Sequence, residues 1–326
     1  MKNPTELSLR PNRVEWKKEN ARFMLYNTRN LWIANIHLSF KHSVMTAPVV
    51  TRFAPSPTGH LHKGHAYAAL QASNFAKKHG GRFLLRIEDI DHTRCNSENA
   101  EQILEDLRWL GIEWEEPVRI QNQHLNEYRE TAGKLEQHGF LYPCFCTRKD
   151  IQREIERSGQ APHGSERPLY PDTCRHLSED EQKARIAAGE AHALRLNLER
   201  AMNEIGQELT WQDRIHGEQK CQPELLGDAV IVRKDIGTSY HLAVVHDDAL
   251  QGITDIVRGE DLFESTNLHR VLQELLNLPV PIYHHHRLLT DEKGNRLAKR
   301  DKAITLKSLR ESGVSAESLK SQVSSV

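Results

Sequence analysis

Long hydrophobic runs are missing from this chain of 326 residues, although 38% of its residues are hydrophobic. No stretch reaches the roughly 20 consecutive apolar residues that a membrane-crossing helix needs. We therefore expect no transmembrane segment and no membrane partner. The hydrophobic fraction is still sufficient for a buried core, in one large or two modest domains.

Cysteine is scarce, with five residues in the chain. A scaffold that depends on disulfide bonds needs a much higher density of cysteine in a shorter chain. The count is typical of a protein from a reducing compartment, so a cytoplasmic location is expected. Cys95 and Cys221 have no neighbouring ligand motif, whereas the other three lie within one region of the sequence.

A large net charge of either sign is also absent, because the formal net charge is −1. The distribution is uneven, since residues 1–44 carry eight Lys and Arg against three Asp and Glu. These residues lack the features of a secretory signal, and Glu6, Glu15 and Glu19 argue against a transit peptide. We expect residues 1–46 to be a leader that is disordered or not native. A nucleic-acid partner would be bound by local basic patches on the acidic remainder.

The most informative stretch runs from Arg52 to His65 and reads RFAPSPTGHLHKGH. Val50 and Phe53 predict the end of a buried strand, and the spaced apolar residues that follow the stretch predict a helix ending at Gly80. A strand, a loop with Pro and Gly, and a helix start together present backbone N–H groups and the positive helix end to an anion.

Two imidazoles, His62 and His65, stand at the predicted helix start with Lys63 and Gly64 between them. Because Gly64 has no side chain, a flat group such as a nucleobase has room to lie against the backbone. Two surface histidines would be the ordinary interpretation of this spacing. The preceding Pro-x-Pro-Thr-Gly and the following helix favour a nucleotide site instead.

Acidic residues follow the next predicted strand, which begins at Arg82 and leads into Glu88, Asp89 and Asp91. Strand, helix and strand of this size predict a right-handed parallel crossover, and hence an α/β fold with a doubly wound parallel sheet. Ligands in such sheets bind beyond the carboxyl ends of the strands. Glu88 is therefore predicted to receive an ammonium group, with a solvated turn as the alternative.

Three cysteines have the spacing of metal ligands. Cys144 and Cys146 are two residues apart, and Cys174 follows roughly thirty residues later. Thiolates in this arrangement, in a loop-rich stretch without apolar periodicity, indicate a structural zinc site. Ligand chemistry alone favours His176 as the fourth ligand, and three buried free cysteines are the alternative interpretation.

Strand patterns return after the cysteine-containing region. Residues 228–233 and 239–245 are predicted as two strands around a turn, and residues 253–262 as a strand that leads into a helix. Tyr240 and Arg258 are polar outliers in these apolar stretches. A planar guanidinium binds a carboxylate through two parallel hydrogen bonds, and a Tyr hydroxyl can orient the pair.

These motifs together resemble those of the class I aminoacyl-tRNA synthetases. The histidine pair is similar to their His-Ile-Gly-His signature, with Lys63 in place of the Ile. The loop at residues 291–300 resembles their Lys-Met-Ser-Lys-Ser signature, with Arg296 and Ala298 in place of the first Lys and the Ser. The strings RFAPSPTG and RIEDID are similar to the glutamyl and glutaminyl branch, and the resemblance covers about residues 47–305.

The resemblance implies a role for each candidate residue. It implies a catalytic role for His62, His65 and Lys299, and ATP binding by these residues and Gly64, with Mg²⁺ accompanying the ATP. The implied glutamate-binding residues are Arg52, Phe53, Ala54, Pro55, Ser56, Glu88, Tyr240 and Arg258. The implied ligands of one structural Zn²⁺ are Cys144, Cys146, Tyr170 and Cys174, so Tyr170 is preferred and His176 remains the alternative.

The resemblance also implies a domain organisation. A nucleotide-binding domain of the class I synthetase Rossmann type would be split by a zinc-containing subdomain similar to an acceptor-arm-binding insertion, and a catalytic Lys loop with a short remnant would follow. The expected segments are residues 47–143, 144–226, 227–290 and 291–326. Basic residues of the insertion, including Arg153 and Arg157, would contact tRNA.

The stretch after Arg300 is too short for a separate anticodon-reading domain, because domains rarely fall below about 50 residues. The expected function follows the truncated paralogues of glutamyl-tRNA synthetase. These enzymes activate L-glutamate with ATP and transfer it to queuosine in the anticodon of tRNA(Asp). The alternative is a truncated glutamyl-tRNA synthetase that charges the 3′ end of tRNA(Glu). A monomer is expected.

Overall fold

The computed structural model describes residues 48–157, 170–289 and 304–324. The expected leader and the Lys loop with Lys299 lie outside these ranges. Among the described helices, none combines the length and the apolar character that a membrane crossing requires.

The described residues form ten strands and ten α-helices. The strands are β1 (Val50–Phe53), β2 (Arg82–Ile87), β3 (Glu115–Ile120), β4 (Leu141–Cys144), β5 (Ala193–Leu196), β6 (Thr210–Asp213), β7 (Gly217–Lys220), β8 (Val230–Val232), β9 (Asp255–Gly259) and β10 (Ile282–His286). The helices are α1 (Lys63–Lys78), α2 (Ser97–Trp109), α3 (Leu125–Gln137), α4 (Arg148–Arg157), α5 (Glu179–Ala187), α6 (Leu198–Ile205), α7 (Tyr240–Leu250), α8 (Ser265–Leu275), α9 (Leu306–Glu311) and α10 (Ala316–Ser324).

Two sheets with parallel pairing form the centre of the fold. The first has the order β1-β2-β3, with all neighbours parallel. The second has the order β7-β6-β10-β9, in which β10 is parallel to both β6 and β9 and only β7 is antiparallel. Helices lie between most of the successive parallel strands along the chain. The expectation of an α/β fold on a parallel sheet is confirmed.

Thr254 joins the two sheets at their shared edge. Its N–H donates to the carbonyl oxygen of Val50 at 3.0 Å, and its Oγ1 accepts from the Val50 N–H at 2.8 Å. Strands β1 and β9 therefore begin side by side, and the strand order reads β3-β2-β1-β9-β10-β6-β7. Along the chain, β1 is followed by its neighbour β2 on one side of this pair, and β9 is followed by its neighbour β10 on the other side. A crevice at the carboxyl ends of these two strands is the usual ligand site of such a sheet.

An antiparallel sheet anchors the cysteine-containing region. Strands β4, β5 and β8 pair in that order, and Cys144 at the end of β4 lies opposite Ala193 of β5. β5 lies within the predicted insertion, whereas β8 follows it along the chain. The insertion is thus attached through a sheet that it shares with its flanking segments.

Small side chains allow α1 to pack closely on the parallel sheet. Ala66, Ala69, Ala72 and Ala76 recur at helical spacing and are all buried. They belong to one hydrophobic cluster with residues of β1, β2 and α2. This packing fixes the start of α1, and therefore the histidine pair, against the carboxyl end of β1.

One predicted strand is wrong. The segment Tyr240–Leu250 is the helix α7, whereas residues 239–245 were expected to be extended. Ser239 caps the helix, because its hydroxyl accepts from the N–H of Leu242. The run from Leu242 to Val245 is buried throughout, so it shows no alternation between apolar and polar residues. A short, uniformly apolar run does not distinguish a buried strand from a buried helix.

We predict that Thr254→Val weakens the junction between β1 and β9. The substitution keeps the shape of the side chain but leaves the Val50 N–H without its acceptor, which costs about 1–3 kcal/mol. Urea unfolding measures the difference. Thr210→Val, at an exposed position of β6, is the matched control, and equal stability of the two variants would contradict the assignment.

Candidate active site

The two signature histidines cap the helix α1. His62 is the N-cap residue, and its Nδ1 accepts from the N–H of Gly64 at 3.1 Å. The Nδ1 of His65 accepts from the N–H of His62 at 3.1 Å. Because both Nδ1 atoms are acceptors, each neutral ring carries its proton on Nε2. The ring centroids are 3.8 Å apart, so the two rings lie against each other at the positive end of the helix.

Gly64 serves this cap directly. A Cβ atom at its position would lie 3.0 Å from Cε1 of His62, so a side chain would displace the imidazole. The sequence predicted that backbone N–H groups here face an anion. In the structure the Gly64 N–H instead donates to Nδ1 of His62.

The loop between β1 and α1 is held against the end of β2. The N–H of Glu88 donates to the carbonyl oxygen of Pro55 at 3.0 Å. Phe53 is buried in the core, Ala54 is half-buried and Ser56 is exposed. The backbone bond therefore brings the RFAPSPTG loop and the acidic end of β2 to the same place.

A buried ionic cluster lies under this loop. Arg52 donates from Nε and Nη2 to the two carboxylate oxygens of Asp248, at 2.9 and 3.3 Å. Arg86, which is fully buried, donates to Asp248 at 2.8 Å and to Glu88 at 3.3 Å. Burial opposes ionisation of Asp248, but Arg52 and Arg86 hold its pKa below the usual value. Burial dominates at Glu88 and raises its pKa, despite the same two arginines.

The predicted glutamate-binding residues converge on one region. Tyr240 is the first residue of α7, and the charges of Arg258, Glu88 and Arg52 all act on its hydroxyl, whose pKa is raised chiefly by burial. Arg52 comes from β1, Glu88 follows β2 and Arg258 lies on β9. All three positions are at or near the carboxyl ends of their strands. The structure thus brings together four side chains that lie far apart in the sequence.

Sequence reasoning missed the partners of these residues. Arg86 was included only as part of a strand, and Asp247 and Asp248 were not singled out. Asp247 accepts from Arg119, Gln121 and Tyr128, and both aspartates are buried. The available signal was a pair of acidic residues inside an otherwise apolar run. Acidic residues are almost never fully buried without a cationic partner.

The three cysteines predicted as metal ligands meet beside Tyr170. The Sγ atoms of Cys144, Cys146 and Cys174 all lie within 4.8 Å of one another. The hydroxyl of Tyr170 lies 3.5 Å from the Cys144 sulfur and 3.7 Å from the Cys146 sulfur. Among the described residues, His176 is not part of this group, and its side chain is exposed.

Comparisons with known proteins place the chain in a family. A family model described as tRNA synthetases class I (E and Q), catalytic domain, matches residues 48–324. A protein of Rhodobacter capsulatus named glutamyl-Q tRNA(Asp) synthetase is 48% identical, over 82% of this chain and 96% of its own length. One of the same name from Symbiobacterium thermophilum is 42% identical, over 82% and 83%. A glutamate–tRNA ligase of Aquifex aeolicus is 38% identical, over 83% and 55%.

A solved structure is also similar. The crystal structure of a glutamate tRNA ligase from Elizabethkingia meningosepticum in complex with its amino acid matches with a TM-score of 0.67 and 30% identity, over 78% of this chain. The chain spans about half the length of that ligase, since it covers 52% of it.

The chain belongs to the class I tRNA synthetases of the glutamate and glutamine branch, a family of ligases. Within that branch, it resembles the proteins named glutamyl-Q tRNA(Asp) synthetase, to which it is 42–48% identical over the aligned residues in the comparisons above.

We predict that Asp248→Asn destabilises the fold strongly. The substitution removes the carboxylate that pairs with Arg52 and one of the three that surround the buried Arg86, and breaking a buried ion pair costs about 3 kcal/mol or more. Chemical denaturation provides the measurement. Glu115→Gln, which removes the partner of the exposed Arg82, is the control and should change stability little. A similarly small effect of both substitutions would refute the assigned importance of the cluster.

Proposed function

We propose that the protein activates L-glutamate with ATP and transfers the glutamyl group to queuosine in the anticodon of tRNA(Asp). The convergence of Arg52, Glu88, Tyr240 and Arg258, together with the histidine cap of α1, carries the activation step. The 48% identity to a protein named glutamyl-Q tRNA(Asp) synthetase, against 38% to a glutamate–tRNA ligase, supports the acceptor.

Activation needs no protein nucleophile. An oxygen of the glutamate α-carboxylate attacks the α-phosphorus of ATP, the bond to the β-phosphate breaks, and pyrophosphate leaves. Catalysis is then positioning and stabilisation of phosphoryl charge. The Nε2–H groups of His62 and His65 would donate to phosphate oxygens at the start of α1, and Lys299 would neutralise the leaving pyrophosphate. Mg²⁺ would enter with the ATP and would supply positive charge against the negative charge of the phosphates.

The two pocket arginines differ in the charge they offer to a ligand. Arg52 shares its charge with Asp248, and within the described residues its Nη1 is left for a ligand. Arg258 has no carboxylate partner within the described part of the chain, so it is suited to the side-chain carboxylate of glutamate. Glu88 would receive the amino group.

The cysteine cluster fits a structural zinc ion. Tetrahedral bonds of about 2.3 Å to sulfur and about 2.0 Å to oxygen imply sulfur–sulfur distances near 3.8 Å and sulfur–oxygen distances near 3.5 Å. The sulfurs of Cys146 and Cys174 are 3.5 Å apart, and the Tyr170 hydroxyl lies 3.5 Å from that of Cys144. We assign Cys144, Cys146, Cys174 and Tyr170 as the ligands. The zinc ion would have a structural role, because it would hold the loop-rich region together.

We predict glutamate-dependent exchange between ATP and labelled pyrophosphate in the absence of tRNA. His62→Ala removes one phosphate donor and should lower the exchange rate about 10²-fold or more. His79→Ala, at the exposed opposite end of α1, should leave the rate unchanged. Near-normal exchange by His62→Ala would refute the catalytic role.

The acceptor is tested by transfer of labelled glutamate. Labelled glutamate should be transferred to tRNA(Asp) that carries queuosine. It should be transferred neither to tRNA(Asp) without queuosine nor to tRNA(Glu). Label at the 3′ end of tRNA(Glu) would instead establish the alternative, a glutamyl-tRNA synthetase activity, which the 38% identical ligases support.

We also predict one zinc ion per chain by elemental analysis. Cys174→Ser and Tyr170→Phe should lower zinc content and thermal stability, because each removes a ligand. Cys221→Ser, which changes a cysteine outside the cluster, should leave the zinc content unchanged, and so should His176→Ala. Zinc loss in His176→Ala with full retention in Tyr170→Phe would exchange the fourth ligand, and purified protein without zinc would refute the site.

A further inference from the structure

Three adjacent strands place polar side chains in a row behind Arg258. His285 of β10 lies opposite Arg258 of β9 in the parallel register, and β10 pairs on its other side with β6, which ends at Asp213. All three side chains are buried. Because side chains alternate along a strand, the neighbouring His284 points to the other face of the sheet.

Hydrogen bonds connect these side chains in a defined direction. The Nε–H of Arg258 donates to Nε2 of His285 at 3.0 Å. A guanidinium has no acceptor, so this Nε2 carries no proton. Nδ1 of His285 therefore carries it and donates to Oδ2 of Asp213 at 2.7 Å. Asp213 is held in turn, since its Oδ1 accepts from the N–H groups of Ile215 and His216 at 2.8 and 2.9 Å.

The other contacts of Arg258 are also to uncharged acceptors. Its Nη2 donates to Oγ1 of Thr266 at 2.7 Å and to the carbonyl oxygen of Leu262 at 3.2 Å, and its Nη1 lies 3.4 Å from Nδ1 of His269. Four acceptors thus account for four of its five N–H donors. The guanidinium is fixed in orientation while its charge is left for a ligand.

We propose that Asp213 and His285 are positioning residues that orient Arg258 toward the side-chain carboxylate of the substrate, with Asp213 holding His285 in the Nδ1–H tautomer. This inference rests on the proposed activation of glutamate. An imidazole supplies the lone pair that Nε of Arg258 needs without neutralising its charge, whereas a carboxylate at the same place would form an ion pair and compete with the substrate.

The ionisation of both groups agrees with this arrangement. Burial and the charge of Arg258 lower the pKa of His285 to about 4, so the ring is neutral near pH 7. Burial works against ionisation of Asp213, but its hydrogen bonds from His216 and His285 keep its pKa below the usual value. A charged carboxylate and a neutral imidazole are the states that the bonds require.

Asp213→Asn tests the tautomer. Oδ1 of the new amide would keep the bonds from Ile215 and His216, so its NH₂ group would face His285. Nδ1 would then have to accept, the proton would move to Nε2, and two N–H groups would oppose each other at Arg258. We expect the KM for glutamate in pyrophosphate exchange to rise about tenfold or more, with the KM for ATP unchanged.

Three substitutions on β10 separate positioning from a general structural effect. His285→Leu removes the acceptor and should raise the KM for glutamate as Asp213→Asn does. His285→Gln provides a side-chain oxygen as acceptor and should restore most of the affinity. His284→Gln, on the other face of the same strand, should leave it unchanged. If the KM for glutamate stays normal in Asp213→Asn and His285→Leu, the inference is overturned.

The tautomer itself is read independently of activity. In ¹⁵N-histidine spectra of the unchanged protein, His285 should show a protonated Nδ1 and an unprotonated Nε2, and Asp213→Asn should reverse them. A His285 tautomer with protonated Nε2 in the unchanged protein would overturn the inference. The expected tautomer together with no glutamate-dependent exchange by the unchanged protein would overturn the proposed function instead.

Discussion

The pairing of buried charges around Arg86 is the constraint on which the rest of the site depends. Arg86 is fully buried, and isolated charges are not tolerated in that environment. Its partner Glu88 follows β2, its partners Asp247 and Asp248 lie on α7, and Asp248 also binds Arg52 of β1. This cluster therefore holds the end of β1 against the helix α7, which lies almost two hundred residues further along the chain. Displacement of any of these elements would break at least one of these buried ion pairs.

The roles of Arg52 and Arg258 differ because their hydrogen-bond partners differ in charge. Arg52 faces a carboxylate and forms part of the framework, whereas the partners of Arg258 are imidazoles, a hydroxyl and a carbonyl oxygen. Both guanidinium groups are fixed by hydrogen bonds. They differ in whether a neighbouring carboxylate neutralises their positive charge. A framework with a fixed, uncompensated guanidinium favours an anionic ligand over its neutral amide, because a neutral group would leave that charge buried and unpaired.

The sequence predicted the elements that short-range patterns encode. The helix after the histidine pair, the strand that leads into Glu88 and the meeting of three cysteines were all anticipated. Two kinds of feature were not. The helix α7 was taken for a strand, because uniform burial removed its periodicity. The partners Asp247, Asp248, Asp213 and His285 were missed, because their meaning depends on which strands become neighbours. Which strands are neighbours depends on the strand order of the sheet, and the spacing of residues in the sequence does not predict that order.

The bond between Val50 and Thr254 spans 204 positions of the chain, and this separation has a consequence for biosynthesis. Ribosomes add roughly 5–20 residues per second, so β1 waits on the order of 10–40 s before its neighbour β9 is made. During that interval one side of β1 is an open strand edge, which can pair with other chains. Contacts so distant also slow the final closure of the sheet. We expect the nascent chain to depend on chaperones more than its modest size indicates.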